Sequence, residues 1–275
     1  MPDPQNGDAK IDVFFIGVGK CGTSWIYKHL SRRGDIGVPK IKEPYVLNSP
    51  VEEHAAIIED LYDDRRPRCD FSNVYYWDES IPNRIVEHNP DAKIVLTVRK
   101  PSKRVSSHFG FIQRNGEHVN NSVVEYLQRG DPHDLVKRSD YQEIYDRYSS
   151  IIAKDRILVL PLELLSSDVQ EYANRLAKFL DVPERVVDES DSQKVLGRSS
   201  ARMPFVSRSA KKLAEQLRAR GYLKLLSGFK ESSLVRKLLF SSADAAPDQN
   251  FAYEDLPVAL RNLDDSYENF LETNR

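Results

Sequence analysis

The sequence predicts an α/β domain, a central parallel sheet flanked by helices with a helical C-terminal part. Three observations predict it. Short apolar runs at 11–16 (IDVFFI), 93–98 (KIVLTV) and 156–160 (RILVL) have the length and β-branched content of buried strands. Helix-length stretches separate them, the alternation that gives parallel strands with helices on both faces. The first run also ends in a glycine-rich turn that opens a helix, FFIGVGKCGTSW over 14–25, which makes the sheet P-loop-type.

Taken in order, the first strand stops at Gly17 and a helix follows from Trp25 to Arg33, with Gly34 as its stop signal. Weaker strand candidates lie at Ile36–Val38 and Arg68–Phe71. The strand Lys93–Val98 ends at Arg99, and Pro101 suits the first turn of a helix reaching Arg114. A helical stretch from Tyr141 to Ala153 precedes the strand Arg156–Leu160. Near the end, Leu256, Leu260, Leu263, Tyr267 and Phe270 recur at steps of three and four after Asp255, with Pro257 in the first turn. That spacing is an amphipathic helix closing the fold. A single domain over 1–275, with 1–10 as a flexible N-terminus, is the simplest organisation.

Composition narrows the function. The 275 residues carry a net charge of −2 and are 40% hydrophobic and 30% charged. No apolar run reaches the eighteen residues of a membrane span, and residues 1–8 lack the basic and apolar regions of a signal peptide. Two cysteines, Cys21 and Cys69, supply neither a disulfide framework nor a metal site. A reduced cytoplasmic protein is the expectation. Charge is uneven: ten Lys or Arg against Glu215 alone between Lys194 and Lys230, then eight acids against two arginines from Ser241 to Arg275. The basic run is either a solvated helix face or a surface for an anionic ligand. No aromatic interleaving accompanies it, so nucleic acid is not an expected partner.

The opening loop admits three readings. Gly17, Gly19 and Gly22 spell G-x-G-x-x-G, but a dinucleotide site needs a buried strand ending in an acid about 20 residues on. The approach to Glu43 instead contains Pro39, Lys40 and Lys42, with Pro44 just beyond. A Walker loop needs lysine directly after the last glycine, whereas Lys20 precedes Gly22 by two positions. The strand at 93–98 ends in Arg99, where a triphosphate enzyme would want a metal-holding acid. The third reading is an activated phosphate without metal. Backbone N–H groups at the helix start, the hydroxyls of Thr23 and Ser24 and the charge of Lys20 converge on one anion. Arg99 and Ser107, two helical turns further on, face a second phosphate.

These residues resemble a known family. Lys20-Cys21-Gly22-Thr23-Ser24-Trp25 is similar to the K-x-G-T-[ST]-W phosphosulfate loop of the sulfotransferases, and Arg99–Phe109 to their R-x-P-x-x-R-x-x-S-H-[YF] motif. The resemblance, which runs from about Asp12 to Val182 and includes Tyr141, implies 3′-phosphoadenosine 5′-phosphosulfate (PAPS) as donor and the 3′,5′-bisphosphate (PAP) as product, with no metal. It implies that Lys20, Cys21, Gly22, Thr23, Ser24 and Trp25 hold the donor's 5′ end, and Arg99 and Ser107 its 3′-phosphate. Lys42-Glu43-Pro44 resembles the Lys-Glu pair of the heparan-type carbohydrate sulfotransferases and bacterial relatives. That implies Glu43 as base and Lys42 near the sulfuryl group, beside Lys20; otherwise Glu43 is a loop acid paired with Lys40 or Lys42. Tyr45-Val46-Leu47 replaces the usual His-Phe-Phe, which leaves the acceptor open among a carbohydrate, a glycolipid and a small natural product. Residues 70–76 match the segment beside the acceptor cleft. Gly197, Arg198 and Arg202 resemble the late loop over the donor's 3′ end. His108 reads as structural, His29, His54, His88 and His133 as ordinary surface or helix residues, and Cys21 as a neutral filler, with oxidative control as the alternative. A P-loop kinase and a PAP-binding protein without catalysis are the competing functions.

Overall fold

The structure, a computed structural model, describes residues 9–114, 117–118, 121–188, 200–201, 240–241 and 251–274. Its centre is a four-stranded sheet made of β1 (Val13–Gly17), β2 (Cys69–Asp70), β3 (Lys93–Val98) and β4 (Ile157–Pro161). The order is β2-β1-β3-β4 and every pairing is parallel. The chain therefore lays β2 on one side of β1 and then crosses to place β3 on the other. The reversal leaves a crevice at the C-terminal ends of β1 and β3, where open α/β sheets receive ligands.

Both faces of the sheet are buried, as a parallel sheet requires. Val13 and Phe15 of β1 point to one face, with Val95 and Leu160, under helices α1 (Thr23–Ser31) and α8 (Val169–Phe179). Phe14 and Ile16 point to the other, with Ile94, Leu96 and Val98. That face is covered by α2 (His54–Leu61), α3 (Ile81–His88), α6 (Tyr141–Ser149) and α9 (Val258–Thr273). Helix α7 (Leu162–Ser167) leads from β4 into α8. A third apolar cluster joins α4 (Pro101–Arg114), α5 (Val123–Gln128) and the start of α9 through Val105, Phe109, Tyr126 and Leu260. Each fully buried Phe or Ile here contributes about 1.5–3 kcal/mol.

The strong sequence signals match: Lys93–Val98 and Pro101–Arg114 have the predicted limits. Ser122 and Glu125 close a capping box at α5, and Asp140 accepts from the Glu143 N–H at α6. The weak strands shrink: residues 36–38 retain an isolated bridge at Gly37, and 68–71 retains Cys69–Asp70. The predicted helix over 141–153 ends at Ser149. His54 opens α2 and His88 closes α3, and the two rings bond to each other. The Ile11 N–H donates to His88 Nε2 at 3.0 Å, so His88 donates from Nδ1 to His54 Nδ1 at 3.2 Å, and His54 Nε2 donates to the Ser49 carbonyl. The pair is neutral, and burial lowers both pKa values. No described helix is long and apolar enough to cross a membrane. Residues 200–201 and 240–241 pair as a short antiparallel ladder.

Candidate active site

The glycine-rich turn lies at the end of β1, tied to β3 by the Val18 N–H donating to the Thr97 carbonyl (2.9 Å) and Thr97 Oγ1 donating to the Gly17 carbonyl (2.8 Å). Gly17 has φ 125° and its absent Cβ would fall 2.7 Å from both the Asn73 carbonyl oxygen and Tyr76. Gly22 has φ 93° and lies against Leu162. Those two positions require glycine. Gly19 does not, for a Cβ there meets nothing within 4 Å, which removes the middle glycine of a dinucleotide fingerprint from the argument. Helix α1 starts at Thr23 with no side-chain cap and no acid in its first turn. A helix N-terminus of that kind suits an anion.

Lys42 reaches back to this helix start. Its Nζ lies 3.1 Å from Ser24 Oγ, 3.4 Å from Thr23 Oγ1 and 3.7 Å from Glu43 Oε1. Burial lowers the Lys42 pKa, and Glu43 partly opposes this. The Glu43 carboxylate accepts from Asn73 Nδ2 at 2.8 Å and from the Tyr45 hydroxyl at 3.0 Å. Lys40 turns away to the Asp60 carbonyl. The Lys20 ammonium lies 4.8 Å from the centre of the Phe111 ring on α4, a cation–π contact.

On the β3 side, the Tyr141 hydroxyl donates to the Arg99 carbonyl at 2.6 Å and fixes the turn into α4. The first amides of α4 are capped from far along the chain. The Lys100 N–H donates to Glu163 Oε1 (2.9 Å) and the Ser102 N–H to Asp264 Oδ1 (2.8 Å). Tyr267 donates to the other Glu163 oxygen at 3.0 Å. Arg104 is fully buried and donates to Ser139 Oγ and the Leu135 carbonyl. Its Nη2 lies 3.4 Å from His108 Nδ1, and burial, with Arg104 and Lys20 nearby, pushes the His108 pKa down to about 3. His108 is a neutral structural partner there, in line with the sequence reading. Ser107 lies on the same helix, nearly buried.

Two residues of the loop are buried. The Trp25 indole is 3% exposed, stacked on His29 and edge-on to Tyr172, so it supports the loop from beneath. Cys21 is fully buried 4.0 Å from the Tyr141 hydroxyl, and burial pushes its thiol up to about 12. A helix start does not activate that thiol, because desolvation outweighs it. Gly197, Arg198 and Arg202 lie outside the described residues. Asn73, Glu163 and Asp264 were missed as individual residues, since each acts across the fold with no local motif to mark it; Tyr45 bonds Glu43 two residues away.

The family model for the sulfotransferase domain matches residues 10–204. The chain belongs to the sulfotransferase family. The sulfotransferase from Alicyclobacillus acidocaldarius is 20% identical, over 66% of this chain and 85% of that one, with a TM-score of 0.58, a likeness of fold. The sulfotransferase domain from the Synechococcus PCC 7002 olefin synthase is 14% identical over 96% and 98% of the two chains, with a TM-score of 0.48. Mouse sulfotransferase SULT7A1, complexed with PAP, is 17% identical over 68% and 65%, with a TM-score of 0.43. The curated proteins gave no match. Sulfotransferases move a sulfonate group and use PAPS, and this one is an enzyme of that class on an α/β parallel sheet.

Proposed function

We propose that the enzyme transfers the sulfuryl group of PAPS to an acceptor hydroxyl by in-line displacement, with Glu43 as base. The observation that carries this is the meeting of Lys42 and Glu43 with Thr23 and Ser24 at the start of α1, some twenty residues apart in sequence. One end of the cluster offers donors to an anion, and the other offers a carboxylate to an O–H group. The donor supplies an activated sulfuryl group on its 5′-phosphate. Thr23, Ser24 and the uncapped amides of α1 would hold that phosphate, with Lys20 and Lys42 balancing its charge. Arg99 and Ser107 would hold the 3′-phosphate. Glu43 takes the acceptor proton as the new O–S bond forms and the S–O bond to the phosphate breaks. Positioning and charge supply the catalysis, since little covalent work falls to the protein.

For the acceptor, a carbohydrate, glycolipid or small natural-product alcohol fits the wall beside Glu43. Asn73 and Tyr76 sit over Gly17, and the adjoining Trp77 ring carries Arg138 at 4.5 Å and Lys137 at 5.4 Å. Calorimetric titration with PAP, ATP and NAD, with and without magnesium, tests the donor. Tight magnesium-independent binding of PAP, weakened at least about tenfold in Arg99→Ala, is expected. Magnesium-dependent binding of ATP with no response to PAP would establish a kinase instead. PAP binding without turnover across a panel of sugars, phenols and alcohols would establish a binding protein.

A further inference from the structure

The main chain that carries Glu43 is held in an unfavourable shape. Glu43 has φ 64° and Tyr45 φ 54°, both in the left-handed region that residues with a Cβ rarely occupy. Neither is glycine, so the surroundings must impose the conformation. Residues 45–47 turn their N–H groups inward to a polar cluster beneath the loop. The Tyr45 N–H donates to Ser72 Oγ at 3.0 Å and the Leu47 N–H to the Tyr75 hydroxyl at 2.9 Å. The Val46 N–H faces Asp70. Asp70 and Ser72 are completely buried and Tyr75 is 1% exposed.

Asp70 is the unusual member. Neither of its oxygens completes a hydrogen bond; the Ser72 hydroxyl and N–H and the Val46 N–H draw its pKa down without meeting full geometry. A buried acid without a full partner is costly, and an apolar residue would suit the core at that point better. What the carboxylate adds is acceptor capacity. Ser72 Oγ is engaged as an acceptor by the loop, so its own proton needs somewhere to point, and the Asp70 carboxyl beside it can accept it. The same strand-to-turn segment supplies Asn73, which holds the Glu43 side chain from above.

We propose that Asp70, Ser72 and Tyr75 are positioning residues, a clamp beneath residues 45–47 that aims the Glu43 carboxylate at the cluster of Lys42, Thr23 and Ser24. The inference rests on Glu43 being the base, and the test separates the two. Ser72→Ala, Tyr75→Phe and Asp70→Asn are compared with the wild-type full chain by hydrogen exchange, PAP calorimetry and turnover of PAPS with the sugar, phenol and alcohol panel. The 45–47 amides exchange about tenfold faster in the variants, while β1 and β3 amides stay protected. PAP affinity and the KM for PAPS change little, and kcat falls by about 10- to 100-fold, the scale of an ångström-level misplacement. Adding Glu43→Gln to Ser72→Ala lowers kcat no further than Glu43→Gln alone, because both changes remove one function. Unchanged exchange at 45–47 in all three variants would overturn the clamp, and so would losses that add in full to that of Glu43→Gln. Wild-type turnover in Glu43→Gln would refute the base and leave the clamp to be decided by exchange.

Discussion

Asp70→Asn has a calculable effect on stability. Burial pushes the Asp70 carboxyl up from 3.8 to about 7, with the nearby Glu43 adding to the effect and Ser72 and Val46 opposing it. Cys69, Tyr62 and Tyr75, further titratable groups against it, are neutral throughout this range because burial raises all three. A carboxyl whose folded pKa is raised binds its proton more tightly in the folded chain than in the unfolded one. The unfolded state therefore releases the proton first, and stability falls as pH rises from about 4 to about 7. Three pH units correspond to about 4 kcal/mol at most. Asparagine does not titrate, so the variant loses this slope. Urea unfolding of both proteins at unit steps from pH 4 to pH 8 gives the difference in stability. Other groups, including the neutral His54–His88 pair that weakens the fold in acid, are common to both proteins and cancel. The variant gains up to about 4 kcal/mol relative to wild type between pH 4 and pH 8. A difference flat to within about 0.5 kcal/mol across that range would mean that Asp70 is ionised freely in the folded protein, and the argument from its burial would fail.

Other consequences follow from the same geometry. Lys20→Ala lowers turnover by about 10²- to 10³-fold, the scale of losing one charge-stabilising donor, and full turnover in that variant would remove Lys20 from the mechanism. Cys21 and Cys69, both buried with raised thiol pKa values, resist iodoacetamide at pH 8 in the folded protein and react on unfolding; labelling of native Cys21 at the rate of a free thiol would reopen redox control. Asp264→Ala strips the cap from the Ser102 N–H and destabilises the protein by about 1–2 kcal/mol in urea titrations. An unchanged midpoint would show that the C-terminal helix does not secure the start of α4.

Much of the site was legible because its parts are local. The turn from β1 to α1 holds Gly17 and Gly22 at positive φ, a requirement that acts within a few residues. The same holds for Arg99 at the end of β3 and Pro101 at the start of α4, where strand end and helix start are adjacent. Apolar runs of four to six residues sufficed for β1, β3 and β4, because a strand buried on both faces has to be apolar throughout. The short strand Cys69–Asp70 was weak for the opposite reason: two residues carry almost no pattern, and an aspartate argues against a buried strand.

Tertiary structure decided what crosses the chain. The sequence alone determined the type of sheet and the glycine-rich turn after its first strand, since propensity, periodicity and turn chemistry depend on near neighbours. It could not determine that Lys42 folds back onto Thr23 and Ser24, that Asn73 grips Glu43, or that Asp264 and Glu163 cap the amides of α4. Nor could it show that Cys21 and Asp70 lie where water does not reach. Those outcomes depend on which elements the packed sheet brings together and on how much solvent the packing leaves, quantities set by the whole fold and written in no single stretch of it.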